Sequence, residues 1–150
     1  MTSCRIINAR MTTLAEIQVT ALEDLNQMPQ RDLMEAISNG LPAALARELA
    51  RKMDVTLEDM AGLLRLNPRT MHRRLEDGVL DLNESERLWE LARIFFRAVE
   101  VLESEPGAIH WFKNPIQVLG WATPLAYART AVGLRELDNI LGRIEHGVFS

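Results

Sequence analysis

Cysteine occurs once in the 150 residues, at Cys4. No internal disulfide and no cysteine-based zinc site can form, and a reducing, cytoplasmic setting is the simplest expectation. No apolar run approaches the roughly 20 residues that a bilayer span requires, so no membrane partner is expected. The first residues lack the apolar stretch of a secretory signal, and residues 1 to 10 read as a disordered tail or as the result of a start codon placed before Met11. His72, His110 and His146 are too scattered to suggest a metal site. A nucleophile–base pair and a phosphate-cradling glycine loop are also absent, so the residues do not read as an enzyme and no cofactor is expected.

What is present is an ordinary globular balance, 47% apolar and 25% charged, which excludes a wholly disordered chain. This length suits one ordinary core or two small helical modules sharing one, and the second is expected. A formal net charge of -4 does not fit a surface that grips nucleic acid all over, so any DNA contact must be local. Between Arg65 and Arg74 there are four arginines and no acid, while acids dominate elsewhere. That unevenness points to a second partner that is not nucleic acid.

The arginines fall in the stretch TLEDMAGLLRLNPRTMHRRL, residues 56–75, which contains two helix starts and one tight connection. Thr56 can accept a bond from the N–H of Asp59, and Glu58 and Asp59 set negative charge against the positive end of the helix dipole. Met60, Ala61, Leu63 and Leu64 form an inward stripe, with Ala61 small enough for close approach of a second helix. Asn67 is a strong N-cap and Pro68 suits the first helical position, so the second helix begins at once. Its inward face is Met71 and Leu75. Its other face carries Arg69, Thr70, His72, Arg73 and Arg74, and with Arg65 and Asn67 these suit phosphates and base edges in a major groove. The plain alternative is a solvated arginine-rich face; the cap, the small residue and the abrupt second start favour a helix-turn-helix.

The rest of the chain reads as all-α. A Thr13/Glu16 capping box predicts a helix over residues 13–26, and a short helix is expected from Arg31 to Ser38 with Asn39-Gly40 as its stop. These two form an arm for dimerisation or for packing. Pro42 opens a helix running to about Met53. Asn83 is expected to cap a long helix with Glu84 and Glu86 in its first turn; the helix continues to about Glu103, joins the two modules and is ended by Pro106-Gly107. In the last third Trp111, Phe112, Trp121 and Tyr127 read as core. Asn114-Pro115 and Thr123-Pro124 predict helices over Pro115 to Leu119 and Pro124 to Val132. Gly133 is expected to break the chain before a last helix from Leu134 to His146, capped by Gly147.

The stretch from Thr56 resembles the Xre-type helix-turn-helix, with Thr56, Ala61, Leu64, Leu66 and Thr70 at matching places. Arg65 stands where that family usually has Gly. A non-Gly residue at positive φ costs about 1 kcal/mol, so either the turn is modified or Arg65 tolerates the strain. The last forty residues, from Trp111 onward, are similar to the toxin-binding domain of the Xre/MbcA/ParS-like antitoxins. The recurring features are Trp111, Leu119-Gly120, Pro124-Leu125, Thr130, Gly133 and the terminal Arg143-Ile144-Glu145 with Gly147. Trp121 falls where that family commonly has a second Gly.

The resemblance implies an Xre-like helix-turn-helix bundle followed by a small toxin-binding domain. Residues 1–40 are then a tail and helical arm, 41–104 the helix-turn-helix domain with its long helix, and 105–150 the antitoxin domain. It implies a partner of the RES-domain toxin class, an enzyme that depletes NAD, whose active-site entrance is covered by the antitoxin's C-terminal region. The candidate toxin contacts are Arg143, Glu145, His146, Gly147, Val148, Phe149 and Ser150. Phe149 suits a pocket built for a planar ring, and a terminal carboxylate suits cations that otherwise hold a nucleotide phosphate. Self-repression is implied too, by a homodimer on a palindromic operator that forms a larger hetero-oligomer with toxin. Arg69, Thr70 and Arg73 are the base-edge candidates, with Asn67 and Arg74 on phosphates. The alternatives are a stand-alone Xre-type regulator, which gives no reason for a specific C-terminal tip, and an antitoxin that has lost DNA binding.

Overall fold

The computed structural model describes residues 18–147, and all regular structure among them is helical apart from two isolated bridges. Nine α-helices follow in order: α1 (Leu22–Gln27), α2 (Gln30–Asn39), α3 (Ala44–Met53), α4 (Leu57–Leu63), α5 (Pro68–Asp77), α6 (Leu82–Leu102), α7 (Glu105–Lys113), α8 (Pro124–Tyr127) and α9 (Ala131–Glu145). A 3-10 turn (Gln117–Leu119) lies between α7 and α8.

One apolar core runs through the described residues, and α6 is its spine. Leu88, Leu91, Ala92, Ile94, Phe95 and Ala98 are buried along it. This helix packs against α1, α2 and α3 as well as α7 and α9, and so joins the two halves as the breadth of its apolar face predicts. Leu22, Leu25 and Ala36 of α1 and α2 are buried in the same core, which makes these helices packing elements of the bundle. Phe112 reaches Phe95 at a ring separation of 6.0 Å and anchors α7.

Several predicted boundaries move. Residues 18–21 are not helical, and the capping box at Thr13 and Glu16 lies outside the described residues. The start at Leu22 is made instead by Asp24, whose carboxylate accepts the N–H groups of Thr20 at 2.9 Å and Ala21 at 3.0 Å. The cap of α6 is Asp81, not Asn83: Asp81 accepts from the Glu84 N–H at 2.8 Å and Glu84 accepts from the Asp81 N–H at 2.9 Å, a reciprocal box that starts the helix earlier.

Pro106-Gly107 does not end α6. That helix closes on Glu103 in the left-handed conformation, with the Ser104 N–H donating to Val99 O at 3.2 Å. Ser104 then caps α7 by accepting from the Gly107 N–H at 2.9 Å, which puts Pro106 and Gly107 in the first turn of a helix not expected from the sequence. Residues 115–119 form only the 3-10 turn, because the Ile116 N–H is taken by Ala122 O at 3.1 Å and closes a small loop. The helix expected to reach Val132 stops at Tyr127. The last helix begins at Ala131, capped by Thr130, which accepts from the Gly133 N–H at 2.9 Å. Gly133 is therefore inside α9, and its lack of a side chain serves close approach: a Cβ there would lie 1.8 Å from Tyr127 O.

Candidate nucleic-acid and partner interfaces

The helix-turn-helix is built from its caps. Thr56 accepts the Asp59 N–H at 3.0 Å and starts α4. The end of α4 is a Schellman arrangement in which the Leu66 N–H donates to Ala61 O at 2.8 Å and the Arg65 N–H to Gly62 O at 3.1 Å. This arrangement requires a left-handed residue, and Arg65 supplies it at φ 61°. Of the two alternatives for that turn, Arg65 tolerating the strain is the one observed. Asn67 then accepts the Thr70 N–H at 2.8 Å, with Pro68 at the first helical position of α5. Met71 is buried and Leu75 half-buried, as the inward face requires.

The seven DNA-contact candidates are not equivalent. Arg69, His72 and Arg73 are exposed on α5 and make no ion pair among the described residues. Asn67 and Thr70 are joined by the cap. Arg65 donates from Nε to Arg129 O at 3.4 Å. Arg74 is half-buried, its Nε 2.7 Å from Glu84 Oε1, and the bond to Glu84 followed by the charges of Asp81 and Asp77 pushes its guanidinium above the usual range.

At the other end of the molecule, α9 presents Leu134, Leu137, Ile140 and Leu141 inward. Arg143 pairs with Glu136 at 3.4 Å, and Glu145 with Arg97 of α6 at 3.2 Å. Arg97 also holds Asp138, so one α6 guanidinium spans two turns of α9. His146 and Gly147 are exposed, and Gly147 at φ 70° donates its N–H to Ile144 O at 3.1 Å, closing the helix as expected. Val148, Phe149 and Ser150 lie outside the described residues. Of the four aromatic residues expected in the core, Phe112 is buried, and Trp111 and Tyr127 are half-buried. Trp121 is the exception, 67% exposed. In the loop closed by Ile116 and Ala122, buried Leu119 takes the inward place, while Gly120 and Trp121 form the left-handed corner at φ 65° and 67°.

Residues 32–93 match the antitoxin Xre-like helix-turn-helix domain, and residues 97–147 the antitoxin Xre/MbcA/ParS C-terminal toxin-binding domain. The chain belongs to the Xre/MbcA/ParS-like antitoxins. Among similar proteins, an antitoxin Xre of Yersinia enterocolitica is 39% identical over 79 residues, covering 52% of this chain and 53% of the relative. An antitoxin Xre of Photorhabdus laumondii is 28% identical over 116 residues, covering 76% of this chain and 78% of the relative. The chain thus spans about half the length of the first relative. Among solved structures, a chain in the crystal structure of the M. tuberculosis MbcT-MbcA toxin-antitoxin complex superposes with a TM-score of 0.55 at 25% identity, covering 72% of this chain and 96% of that one.

In this antitoxin the two matched regions are tied by a residue that the sequence reading did not single out. Arg87 of α6 is 7% exposed; it donates from Nε to Leu63 O at 3.0 Å, at the end of α4, and from Nη2 to Ala128 O, just after α8. Its Nη1 is buried with no hydrogen-bond partner among the described residues. Burial, and then the neighbouring Arg65, push its guanidinium below the usual range. The signal was available: Arg87 is on the stripe of Glu84, Leu88 and Leu91 that faces the core. A cation at such a place is either unpaired or a clamp, and here it clamps two helix C-termini, whose carbonyls carry partial negative charge.

Proposed function

We propose that this antitoxin neutralises a cognate RES-domain, NAD-depleting toxin by covering its active-site entrance with the C-terminal region, and represses its own operon through the helix-turn-helix. The observation that carries the toxin half is the toxin-binding-domain match over residues 97–147, which ends where α9 closes at Gly147 and the chain turns into Val148, Phe149 and Ser150. Phe149 in that segment is a side chain suited to a pocket shaped for a planar group. Arg143, Glu145 and His146 flank that tip as candidate contacts. Coexpression with a cognate RES-domain toxin tests this: a chain lacking residues 147 to 150 loses protection while remaining folded. Full protection by the truncated chain removes the plug from the account.

The DNA half is supported by the front of α5, where the Asn67 cap leaves Arg69, His72 and Arg73 exposed together. A homodimer would set two such helices on a palindromic operator about one helical turn apart, and toxin would join it in a larger hetero-oligomer. Replacing Arg69 and Arg73 by Ala abolishes operator binding, read by gel shift, and leaves toxin neutralisation intact. Loss of both activities together would instead mean that the fold had been damaged.

A further inference from the structure

The recognition helix carries two kinds of arginine. Arg69 and Arg73 are exposed without an ion pair among the described residues, whereas Arg74 gives its Nε to both oxygens of Glu84, at 2.7 and 3.1 Å, and has Nη2 3.6 Å from Asp81. Glu84 is 6% exposed and is itself held, since its Oε1 accepts the Asp81 N–H at 2.9 Å in the cap of α6. The carboxylate that Arg74 grips therefore cannot swing away to release it. Resting on the DNA-binding reading above, we propose that Arg74 serves DNA binding as a positioning residue, pinning the recognition helix to α6 through Glu84, and not as a phosphate contact.

Charge points the same way. The carboxylates of Glu84, Asp81 and Asp77 all act on this one guanidinium, so a phosphate brought to it meets three acids around one cation. Like charges a few ångströms apart at a protein surface repel appreciably, and an incoming phosphate is disfavoured there. At the opposite end of α5 no acid stands between Arg65 and Arg74. The helix is thus cationic at its leading end and anionic where it leaves for α6, which suits entry of the N-terminal end into the groove. Positioning matters because α5 has one fully buried side chain, Met71. Leu75 is half-buried beside it, and the bond to Glu84 adds a polar tie from the helix to α6.

A phosphate contact and a positioning contact differ in salt dependence. Each phosphate neutralised contributes about -0.9 to the slope of log affinity against log salt. Fluorescence anisotropy with duplex DNA from immediately upstream of the chain's own reading frame, over a salt series, compares the wild type with Arg73→Ala, Arg74→Ala, Glu84→Gln and the Arg74→Ala/Glu84→Gln pair. As a base-edge candidate, Arg73→Ala is expected to weaken binding to this duplex more than to a scrambled one of the same length. Arg74→Ala and Glu84→Gln each lower affinity about tenfold at every salt with the slope unchanged, and the double variant is no worse than either single one. If Arg74→Ala melts below the assay temperature, Glu84→Gln decides alone: it is nearly isosteric and keeps Oε1 as acceptor for the Asp81 N–H, while it removes the charge that holds the guanidinium and puts an amide nitrogen where Oε2 accepts from Arg74 Nε at 3.1 Å. A slope reduced by about one in Arg74→Ala, or affinity unchanged or raised in Glu84→Gln because Arg74 is set free, overturns the assignment. A wild type that binds no duplex at any salt sinks the DNA half of the preceding reading, and this inference with it.

Discussion

Arg65 and Trp121 occupy the same kind of backbone, a left-handed corner at φ 61° and 67°, and use it in opposite ways. Arg65 lies in the turn of the helix-turn-helix and sends its Nε across to Arg129 O, in the segment that leads into α9. Arg129 in turn lies over Gly62, where a Cβ would come within 2.9 Å of its guanidinium. Trp121 lies in the loop between α7 and α8 and leaves its ring 67% exposed. The strain at each is on the order of 1 kcal/mol. At Arg65 that strain accompanies a bond joining the two halves of the molecule; at Trp121 no such bond offsets it within the described residues. A bulky residue at a glycine-like corner is thus retained for structure in one place, and in the other only its exposed ring remains to account for it.

The comparison breaks most completely at Gly133, because the Ala128–Thr130 segment to which both Arg65 and Arg87 donate depends on it. An alanine there would set its Cβ 1.8 Å from Tyr127 O, a backbone atom that cannot yield without moving the start of α9. Gly133→Ala is expected to cost about 3 kcal/mol or more and to lower the melting temperature by many degrees, read by circular dichroism. A melting temperature within a degree or two of wild type would mean that the two helices are not packed this closely. Arg87→Met comes next. It keeps the apolar stem but leaves Leu63 O and Ala128 O without their donor, at a cost of about 2 kcal/mol. Part of that loss is returned because a buried guanidinium with one unpartnered nitrogen also disappears.

These two positions also mark where sequence stopped being informative. Thr56, Asn67, Thr123 and Gly147 could be read because a cap acts on a backbone group within a few residues, so the letter and its neighbours carry the whole interaction. The two helix starts of the helix-turn-helix were legible for that reason, whereas the corner at Arg65 was flagged only by the family resemblance, which left a modified turn open. Gly133 and Pro106-Gly107 escape such local reading: glycine serves both to break a helix and to admit a close neighbour from another element, and proline both follows a helix end and fits the first turn of the next helix. Arg87 was passed over because an arginine in isolation suggests solvent; only its place on the buried stripe of α6 suggests otherwise. Among the site candidates, the exposure of Arg69, His72 and Arg73 followed from helical period, whereas the capture of Arg74 by Glu84 and of Glu145 by Arg97 required the tertiary fold.

The smallest effects separate the two corners directly. Trp121→Gly relieves the backbone strain and removes an exposed side chain that supports nothing in the described fold, so it is expected to raise stability by about 1 kcal/mol. Arg65→Gly relieves the same strain but gives up the bond to Arg129 O, worth about 1 kcal/mol, and should leave stability nearly unchanged. Paired chemical denaturation curves read the difference, which is expected as a shift in midpoint for Trp121→Gly without a change in slope. Equal gains at both positions would show that the Arg65 bond contributes nothing. A loss at Trp121 would show that its ring packs in solution, and the contrast between a corner kept for the fold and a corner left open would then disappear.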